Sequence, residues 1–410
     1  MITAGAIFDS ENGGWADETV LVIENGRIAE LRTHPPVDGP FLDLPEAFVV
    51  PGLIDAHTHV LLQGVMDRYE LAVQMLEENP GHRIACAVRA LRIALDRGFT
   101  TIRDVGTEGA GYWDLGLRDA VSEGVVPGPR MRVAGPAIRP TGRYPVSGLP
   151  HALTFPVGVA SCTGVVACRD EVRTQLAYGV DLIKIYVSGG RFTPSGPDGY
   201  PVGPAVFTPA EVNALVDEAH RNNVKIAAHA QCLAGTEMAI AAGVDSIEHG
   251  YAIPPEFARE MVARDITLVP TLHIVRDAAV RGWWAKPWVV DSHRRSFANC
   301  LEAGVRVAFG TDVGGFEWTG VSQVREFELM VEYGMDPAAA LQSATTAAAR
   351  LLGLADEVGS LTPGKAADLV IVGNDPLSNV AALSDVKLVL KAGSVVYRGA
   401  AMAPAEVGFS

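Results

Sequence analysis

Two hydrophobic patterns alternate along most of the chain. Between residues 48 and 358, short apolar runs such as VDLIKIYV and NVKIAAHA alternate with longer segments in which apolar residues recur every three or four positions. Short continuous apolar runs are typical of buried parallel strands, and the longer spacing is typical of amphipathic helices. The pattern therefore predicts repeated strand–helix units and an α/β fold.

Eight apolar runs carry the strand pattern in this part of the chain. They are FVVPGLIDAHTH, FTTIRDVG, RMRVAGPAI, VDLIKIYVSGG, NVKIAAHAQ, VDSIEHGY, ITLVPTLH and VRVAFGTDVGG. Helix starts stand between them: Thr208, Pro209 and Glu211 match a capping box, and Asp336-Pro337 repeats the start signal. Eight strand–helix units in roughly 300 residues predict a (β/α)8 TIM barrel.

Both ends of the chain have a different pattern of short alternating runs. ETVLVIENGRIAEL contains the hairpin signal Asn25-Gly26, and KAADLVIVG and DVKLVLKAGSVVYRG follow the barrel segment. Neither end has enough strands to close a sheet of its own. We therefore expect residues 1–47 and 359–410 to form one small composite β-sandwich domain beside a barrel of residues 48–358.

Composition and charge narrow the classes of function. The 410 residues are 48% hydrophobic and 20% charged, which is an ordinary globular composition, and the formal net charge is −15. Without any basic run, this charge argues against nucleic-acid and anionic-membrane partners. The chain lacks an apolar stretch of about 18 residues and a secretory start signal, and its five cysteines are an odd number, which favours a reducing compartment. We expect a cytoplasmic protein.

Polar residues stand at the predicted carboxyl ends of the strands, which face the active-site mouth of a parallel barrel. They are His57, His59, Asp104, Lys184, His229, His249, His273 and Asp312. The spacing of His57 and His59 places both imidazoles on the same face of a strand, where they can bind one ion. Imidazole and carboxylate ligands together favour zinc or a neighbouring first-row metal. Asp104 is expected to order the mouth rather than to react.

Lys184 and Asp312 each allow two interpretations. Lys184 lies in the apolar strand DLIKIYV, where an unpaired ammonium is costly to bury. It either pairs with a carboxylate or carries a carbamate formed with carbon dioxide, an anionic group that can bridge two metals. Asp312 lies in AFGTDVGG and either caps a turn or takes a proton from a metal-bound water and delivers it to a leaving nitrogen.

PGLIDAHTH, the lysine of DLIKI, HAQ, EHG and GTDVGG occur in an order that resembles the amidohydrolase superfamily. The terminal segment GSLTPGKAADLVIV extends the resemblance to nearly the whole chain. The strand-four lysine, TTIRDVG and FTPAEVNALVDEAH look like the branch of prolidase-like dipeptidases, ochratoxin-type amide hydrolases and imidazolonepropionase relatives. The resemblance implies a (β/α)8 barrel, a binuclear metal centre and a carboxylated lysine.

The resemblance also implies which residues bind the two divalent ions. His57, His59 and Asp312 would bind the buried metal, His229 and His249 the other, and Lys184 would bridge them. Two positions differ from many relatives. TGRYPVSG, from Thr141, lacks the histidine of Thr-Gly-Gly-His-Gly, and Gln231 stands where dipeptidase-like members have a second histidine. Both positions are near the substrate side of the mouth. These two differences therefore put the dipeptide specificity implied by the resemblance in question.

Substrate contacts are predicted from residues near the same mouth. A stretch without periodicity, residues 135–164, is interpreted as a long loop of the kind that often has a function. The substrate-binding candidates are His273, Tyr144, His151, Tyr186 and Arg191. Arg143, in the same loop, is a further candidate, because an arginine can bind an anionic group with two hydrogen bonds. Trp283, Trp284 and Trp288 form either an aromatic lid or a helix that packs on the rim.

The leading hypothesis is hydrolysis of an amide C–N bond in a small molecule, such as a dipeptide or an N-acyl amino acid. A hydroxide that bridges two divalent ions, most simply zinc, would attack the carbonyl while Asp312 transfers the proton. One alternative is a mononuclear enzyme that hydrolyses cyclic amides or deaminates them, with Lys184 as a plain amine. The other is a binding homologue without catalysis. A homo-oligomer is left open.

Overall fold

The computed structural model describes residues 1–34, 42–64, 68–142, 158–189 and 192–400. Its strands are β1 (Ile2–Asp9), β2 (Gly14–Trp15), β3 (Val20–Glu24), β4 (Arg27–Arg32), β5 (Leu42–Pro51), β6 (Leu53–Thr58), β7 (Phe99–Asp104), β8 (Arg130–Val133), β9 (Ile138–Pro140), β10 (Ala160–Cys162), β11 (Leu182–Tyr186), β12 (Lys225–Ala230), β13 (Ser246–His249), β14 (Thr267–Val269), β15 (Leu369–Val372), β16 (Val386–Lys391) and β17 (Ser394–Arg398). Its helices are α1 (Arg68–Leu76), α2 (Pro80–Asp96), α3 (Trp113–Ser122), α4 (Val165–Tyr178), α5 (Pro209–His220), α6 (Leu233–Ala242), α7 (Pro255–Ala263), α8 (Leu272–Val280), α9 (Pro287–Ala303), α10 (Val324–Glu332), α11 (Pro337–Gln342) and α12 (Ala348–Leu351).

Helix starts follow the sequence signals. Thr208 accepts a hydrogen bond from the Glu211 backbone N–H, and the Glu211 carboxylate accepts one from the Thr208 N–H, which confirms the capping box before α5. Asp336 accepts from two backbone N–H groups at the start of α11. Short hydrogen-bonding side chains placed just before a proline thus set where these helices begin.

The two ends of the chain share one sheet. Its strand order is β17-β16-β15-β5-β1-β3-β4, with β2 paired to β1, so the C-terminal strand β15 lies directly beside the N-terminal strand β5. A separate apolar cluster fills this region, including Ile2, Leu21, Leu369 and Leu390. Strands from both ends thus belong to one connected eight-stranded sheet, whereas the sequence predicted a small β-sandwich domain from the same two segments. β5 also crosses the predicted boundary at residue 47 and continues to Pro51.

The remaining strands pair in parallel, and helices separate all of them except β8, β9 and β10, between which the described residues contain no helix. They form two sheets, β6-β7-β8 and β10-β9-β11-β12-β13-β14. The predicted eighth strand is not a regular strand; its backbone from Arg306 to Val313 instead hydrogen-bonds to β14 on one side and to β6 on the other. On the far side, the Asp181 N–H donates to Val133 O at 2.8 Å, which links β8 to the start of β11. Among the described residues, the regular strand ladders thus form two sheets and not one continuous ring, and the hydrogen bonds above span the two gaps between these sheets.

The stretch of residues 135–164 is not a loop throughout. It contains β9 and β10, which pair in parallel with Ile138 opposite Ala160. Each strand has only three residues, which is too short to produce a recognisable alternation of apolar and polar positions. Residues 143–157, which include Arg143, Tyr144 and His151, lie outside the described residues.

Gly52 joins the terminal sheet to the parallel strands. A Cβ on this residue would lie 2.1 Å from the Thr100 hydroxyl oxygen, so only glycine fits between β5 and β7. β6 begins at the next residue and runs through fully buried positions to Thr58. The terminal sheet is therefore connected by a single residue to the strand that carries His57.

Candidate active site

A cavity of about 670 Å³ contains the carboxyl ends of the parallel strands. All six predicted metal ligands line it: His57, His59, Lys184, His229, His249 and Asp312. The apolar part of the wall consists of Leu62, Leu71, Phe192, Trp284, Trp288 and Val289, and the further polar residues are Glu108, Gln231, Tyr186, Tyr251 and Lys286. The rule that side chains at parallel strand ends converge thus brings together residues that are up to 255 positions apart in the sequence, His57 and Asp312.

Asp312 lies against the two histidines that end β6. Its Oδ1 atom is 3.3 Å from His59 Nε2 and 3.6 Å from His57 Nε2. Its backbone N–H donates to His57 O at 2.8 Å, and its φ of 61° is a left-handed conformation that points the side chain back toward β6. Gly314 allows this close approach, because a Cβ there would be 2.1 Å from His59 O.

His229 and His249 extend the cluster along the neighbouring strands. The ring of His249 lies 4.5 Å from that of His229 and 4.9 Å from that of His57, measured between centroids. His57, His249 and Asp312 each offer a ligand atom, and these atoms lie within 4.8 Å of one another. This group has the donor types that zinc and other first-row metals prefer.

Hydrogen bonds fix the far side of three of the imidazoles. His57 Nδ1 lies 2.7 Å from Glu248 Oε2, His59 Nδ1 lies 2.7 Å from Gly106 O, and His249 Nδ1 lies 2.8 Å from Thr271 Oγ1. In His57 and His59 this leaves Nε2 directed at Asp312. Partners of this kind hold metal-binding histidines in one ring orientation and one tautomer.

Burial sets the protonation of these groups in the metal-free chain. It lowers the pKa of His57, His229 and His249 well below the ordinary value, so these rings are neutral, as metal ligands must be. Burial also lowers the pKa of His59, but its hydrogen bond to Asp312 and the carboxylate charge outweigh this effect and raise the pKa to about 9. A cation bound between His59 and Asp312 must displace that proton.

Lys184 tests whether a metal centre fits these residues. Its Nζ atom is buried and has no hydrogen-bond partner among the described residues. This is costly for an ammonium, and burial accordingly lowers the pKa of Lys184 to about 8. Among the described residues, no carboxylate lies within ion-pair distance of Lys184 Nζ. The predicted ion pair between this lysine and a carboxylate is therefore not observed. An orphaned amine beside four histidines and a carboxylate fits a site completed by bound groups.

The substrate-binding candidates have different outcomes. Tyr186 lines the cavity and donates a hydrogen bond to Glu108 Oε1 at 2.7 Å. His273 is in the first turn of α8, packs edge-on against Phe316 at 4.8 Å and is not among the described residues that line the cavity. The sequence pattern predicts a strand end at this position, whereas in the structure β14 ends at Val269 and helix α8 begins at Leu272. Tyr144, His151 and Arg191 lie outside the described residues.

Asp104 accepts a hydrogen bond from the Val60 N–H at 2.6 Å and does not line the cavity. This position agrees with an ordering role for Asp104 just beyond the β6 ligands. Trp284 and Trp288 are in the cavity wall, whereas Trp283 packs on the core beneath the Arg281 guanidinium.

The sequence analysis placed Gln231 near the substrate side of the mouth, but it did not single out the polar cavity residues Glu108, Tyr251 and Lys286. The spacing along the chain contains a signal for Gln231 and Tyr251. Gln231 follows His229 by two residues, and Tyr251 follows His249 by two residues. This is the spacing that joined His57 to His59. Glu108 follows β7 by four residues, in a loop where no periodicity could place it.

The sequence model of the amidohydrolase family matches residues 48–396. The chain belongs to the amidohydrolase family. Ochratoxinase of Aspergillus niger is 29% identical over 98% of this chain and 88% of that protein. Imidazolonepropionase of Deinococcus deserti is 27% identical over 93% of this chain and 92% of that protein. The crystal structure of a Xaa-Pro dipeptidase with bound methionine has a TM-score of 0.85 and 30% identity, over 97% of this chain and 99% of that chain.

These similarities confirm the amidohydrolase assignment, its prolidase-like branch and a metal-dependent hydrolase that acts on C–N bonds. Members and neighbours of the amidohydrolase family imply a TIM barrel with an additional domain. All five cysteines are free thiols. Among the described helices, none has the length and apolar character needed to cross a bilayer.

Proposed function

We propose that this protein is a metal-dependent hydrolase that cleaves an amide C–N bond of a small molecule, such as a dipeptide or an N-acyl amino acid. The observation that carries the proposal is the convergence of the six predicted ligands on one cavity. A cavity of about 670 Å³ is within the range that accommodates small-molecule ligands.

Two divalent ions, most simply zinc, account for the donors in the cavity. His57, His59 and Asp312 would hold one ion, His229 and His249 the other, and Lys184 would join them as a carbamate. The orphaned Lys184 Nζ supports this assignment, since a carbamate replaces a buried unpaired amine by an anionic group that binds both ions. When bound, such ions polarise the substrate carbonyl and supply a water-derived nucleophile near neutral pH.

Asp312 is the proposed proton carrier. Its Oδ1 atom faces the Nε2 atoms of His57 and His59, and its side chain is 15% exposed, toward the cavity. An acid in this place receives the proton of the attacking water at a carboxylate oxygen and returns it to the departing nitrogen. Glu248 and Arg103, joined at 2.8 Å, hold His57 from behind, on the side away from Asp312.

The wall of the cavity favours a substrate with an apolar or aromatic side chain. Phe192, Trp284 and Trp288 lie on it, and Lys286 is its exposed cation, which suits a substrate with a carboxylate. Dipeptides, N-acyl amino acids and cyclic amides are the compounds to test, because relatives include a dipeptidase and an imidazolonepropionase.

The proposal has an architectural part. It comprises a closed barrel of residues 48–358 and a two-layer domain of residues 1–47 and 359–410 in a cytoplasmic enzyme, as a monomer or homo-oligomer. Hydrogen bonds of Arg306–Val313 to β14 and β6 support the ring on one side, and the Asp181–Val133 bond supports it on the other.

The test is a screen of the zinc-loaded protein against dipeptides, N-acyl amino acids, lactams and lactones, with metal analysis. We expect two ions per chain, turnover of amides, and loss of turnover with a chelator that zinc restores. Turnover confined to esters or lactones would contradict amide hydrolysis. One ion per chain with turnover of cyclic amides alone would favour the mononuclear alternative.

A further inference from the structure

Two tyrosines, Tyr186 and Tyr251, line the cavity, and their hydroxyl groups make different hydrogen bonds. The Tyr186 hydroxyl donates its proton to Glu108 Oε1 at 2.7 Å. The Tyr251 hydroxyl oxygen instead accepts a hydrogen bond from Gln231 Nε2 at 3.1 Å. A phenol carries one proton, so the two side chains differ in whether that proton is already bound to an acceptor.

The Tyr251 ring is held rigidly. The side chain is 1% exposed, and its ring lies 4.8 Å from His293 and 5.9 Å from His249. Its backbone oxygen accepts a hydrogen bond from the Ser292 hydroxyl at 2.8 Å. Because the proton of a phenol lies near the ring plane, a fixed ring leaves it few directions.

Gln231 fixes the oxygen of this hydroxyl. The Gln231 backbone N–H donates to Ser188 Oγ at 2.6 Å, and its side chain hydrogen-bonds to His229 as well as to Tyr251. A carboxamide that accepts from an imidazole N–H presents its NH2 group to the next partner. The order His229, Gln231, Tyr251 thus makes the phenol an acceptor toward Gln231.

The Tyr251 proton has no acceptor among the residues that the structure describes, and Tyr251 lines the cavity together with His249 and Asp312. A buried donor without an acceptor costs about 1–3 kcal/mol, which a substrate oxygen can recover. Burial raises the pKa of Tyr251, so its proton stays on the oxygen at neutral pH.

We propose that Tyr251 is a catalytic residue that donates a hydrogen bond to the carbonyl oxygen of the scissile amide as this oxygen becomes the oxyanion of the tetrahedral intermediate, and that Gln231 is its positioning residue. The inference rests on the proposed amide hydrolysis. It involves no proton transfer, since the hydroxyl proton remains on Tyr251. A donor placed in this way binds the developing negative charge more strongly than the ground-state carbonyl.

The test compares wild-type protein with Tyr251→Phe on an amide that the wild type hydrolyses. Loss of one oxyanion donor lowers kcat by about 10²–10³-fold, and we expect kcat/KM to fall by the same factor while KM and metal content are unchanged. Tyr200→Phe is the matched control, since the Tyr200 hydroxyl accepts from Asn299 Nδ2 at 2.7 Å and does not line the cavity. We expect it to behave as wild type.

A binding measurement separates this role from a structural one. A phosphonamidate analogue of the substrate, whose tetrahedral oxygens imitate the oxyanion, should bind Tyr251→Phe more weakly by the factor lost in kcat/KM. The carboxylic acid product should bind both proteins equally in calorimetry. Equal weakening of both ligands would mean that Tyr251 only shapes the cavity and would overturn the proposal.

Gln231→Met provides a second variant with a similar volume and no donor. We expect a loss of about tenfold in kcat and no further loss when it is combined with Tyr251→Phe, because both changes remove one unit. Additive losses would overturn the positioning role. A Tyr251→Phe protein with kcat within twofold of wild type overturns the oxyanion contact alone, whereas a wild type inactive on every amide overturns the proposed function and this inference with it.

Discussion

The cavity and the terminal sheet differ in the polarity of their buried side chains and in whether these side chains have partners. In the cavity, buried polar groups face each other, Lys184 Nζ has no hydrogen-bond partner among the described residues, and His249 and Asp312 have left-handed backbone angles. In the terminal sheet, the buried side chains are mainly apolar, and two charged side chains have close partners: Asp368 lies 2.9 Å from Arg130, and Lys391 donates to Gly128 O at 2.6 Å.

This difference indicates that the terminal sheet has a structural role and that the cavity is a binding site. Apolar side chains in the sheet are satisfied by one another, so this region is complete as a folded structure. The cavity keeps polar groups that cost stability unless something binds to them. Substitutions of matched residues in the two regions should therefore act on different quantities, turnover in the cavity and stability in the sheet.

Asp312→Asn and Asp368→Asn give the largest expected contrast. Asp312→Asn should lower kcat by about 10³-fold or more, because the amide cannot carry a proton between water and leaving nitrogen, while zinc is retained. Asp368→Asn should keep kcat and lose about 1–3 kcal/mol in the free energy of unfolding, because it weakens the contact with Arg130. Steady-state kinetics, metal analysis and urea unfolding measure both. Near-normal turnover of Asp312→Asn would remove its proton-carrier role.

Lys184→Ala tests the lysine as a metal ligand. Loss of an outer partner of a metal site costs up to about 100-fold in affinity, and loss of a bridging ligand should cost more. Zinc content should fall, and short carboxylic acids should restore part of the activity by replacing the carbamate. Lys391→Ala, which removes a half-buried lysine of the sheet, should leave both quantities unchanged. A fully active, zinc-loaded Lys184→Ala protein would refute the carbamate.

Glu248→Gln tests the support behind the ligands. Glu248 joins His57 Nδ1 to Arg103, and Gln replaces one of its two acceptor oxygens by a donor. We expect about 10–100-fold weaker zinc binding, measured by competition with a chelator, and a smaller change in kcat of the zinc-loaded protein. Unchanged zinc affinity would mean that His57 is oriented by packing alone.

Ile371→Val should have the smallest effect. Ile371 is fully buried in β15, and deletion of one methyl group costs about 0.5–1.5 kcal/mol of unfolding free energy. Turnover and zinc content should equal those of wild type below the unfolding transition. A change in turnover at constant stability would show that the sheet is coupled to the cavity, and the contrast between the two regions would fail.

Most of the polar residues of the cavity could be predicted from the sequence, because they stand at the ends of successive parallel strands. The six ligand candidates stand at strand ends, where a parallel arrangement brings them together whatever the loops do. The terminal sheet was predictable for a related reason, as its alternating runs could be satisfied only by pairing the two ends of the chain.

The remaining differences have local causes. His273 looked equivalent to the other strand-end histidines, but Thr271 has a left-handed φ of 51° and the helix starts at once, with buried Glu326 accepting from the Leu272 and His273 N–H groups. That acceptor is 53 residues away from His273 in sequence, and no local pattern reveals it. Glu108 likewise reaches the cavity through a left-handed φ of 45°.

The placement of β15 between β5 and β16 affects how the protein emerges from the ribosome. One neighbour of β5 is β15, which begins at Leu369, long after β5 ends at Pro51, and β5 leads through Gly52 directly into the strand of His57. A nascent chain therefore exposes an unpaired edge of β5 until β15 has cleared the exit tunnel. All of the parallel strands must therefore be synthesised before β15 can pair with β5 and anchor the first ligand strand from behind.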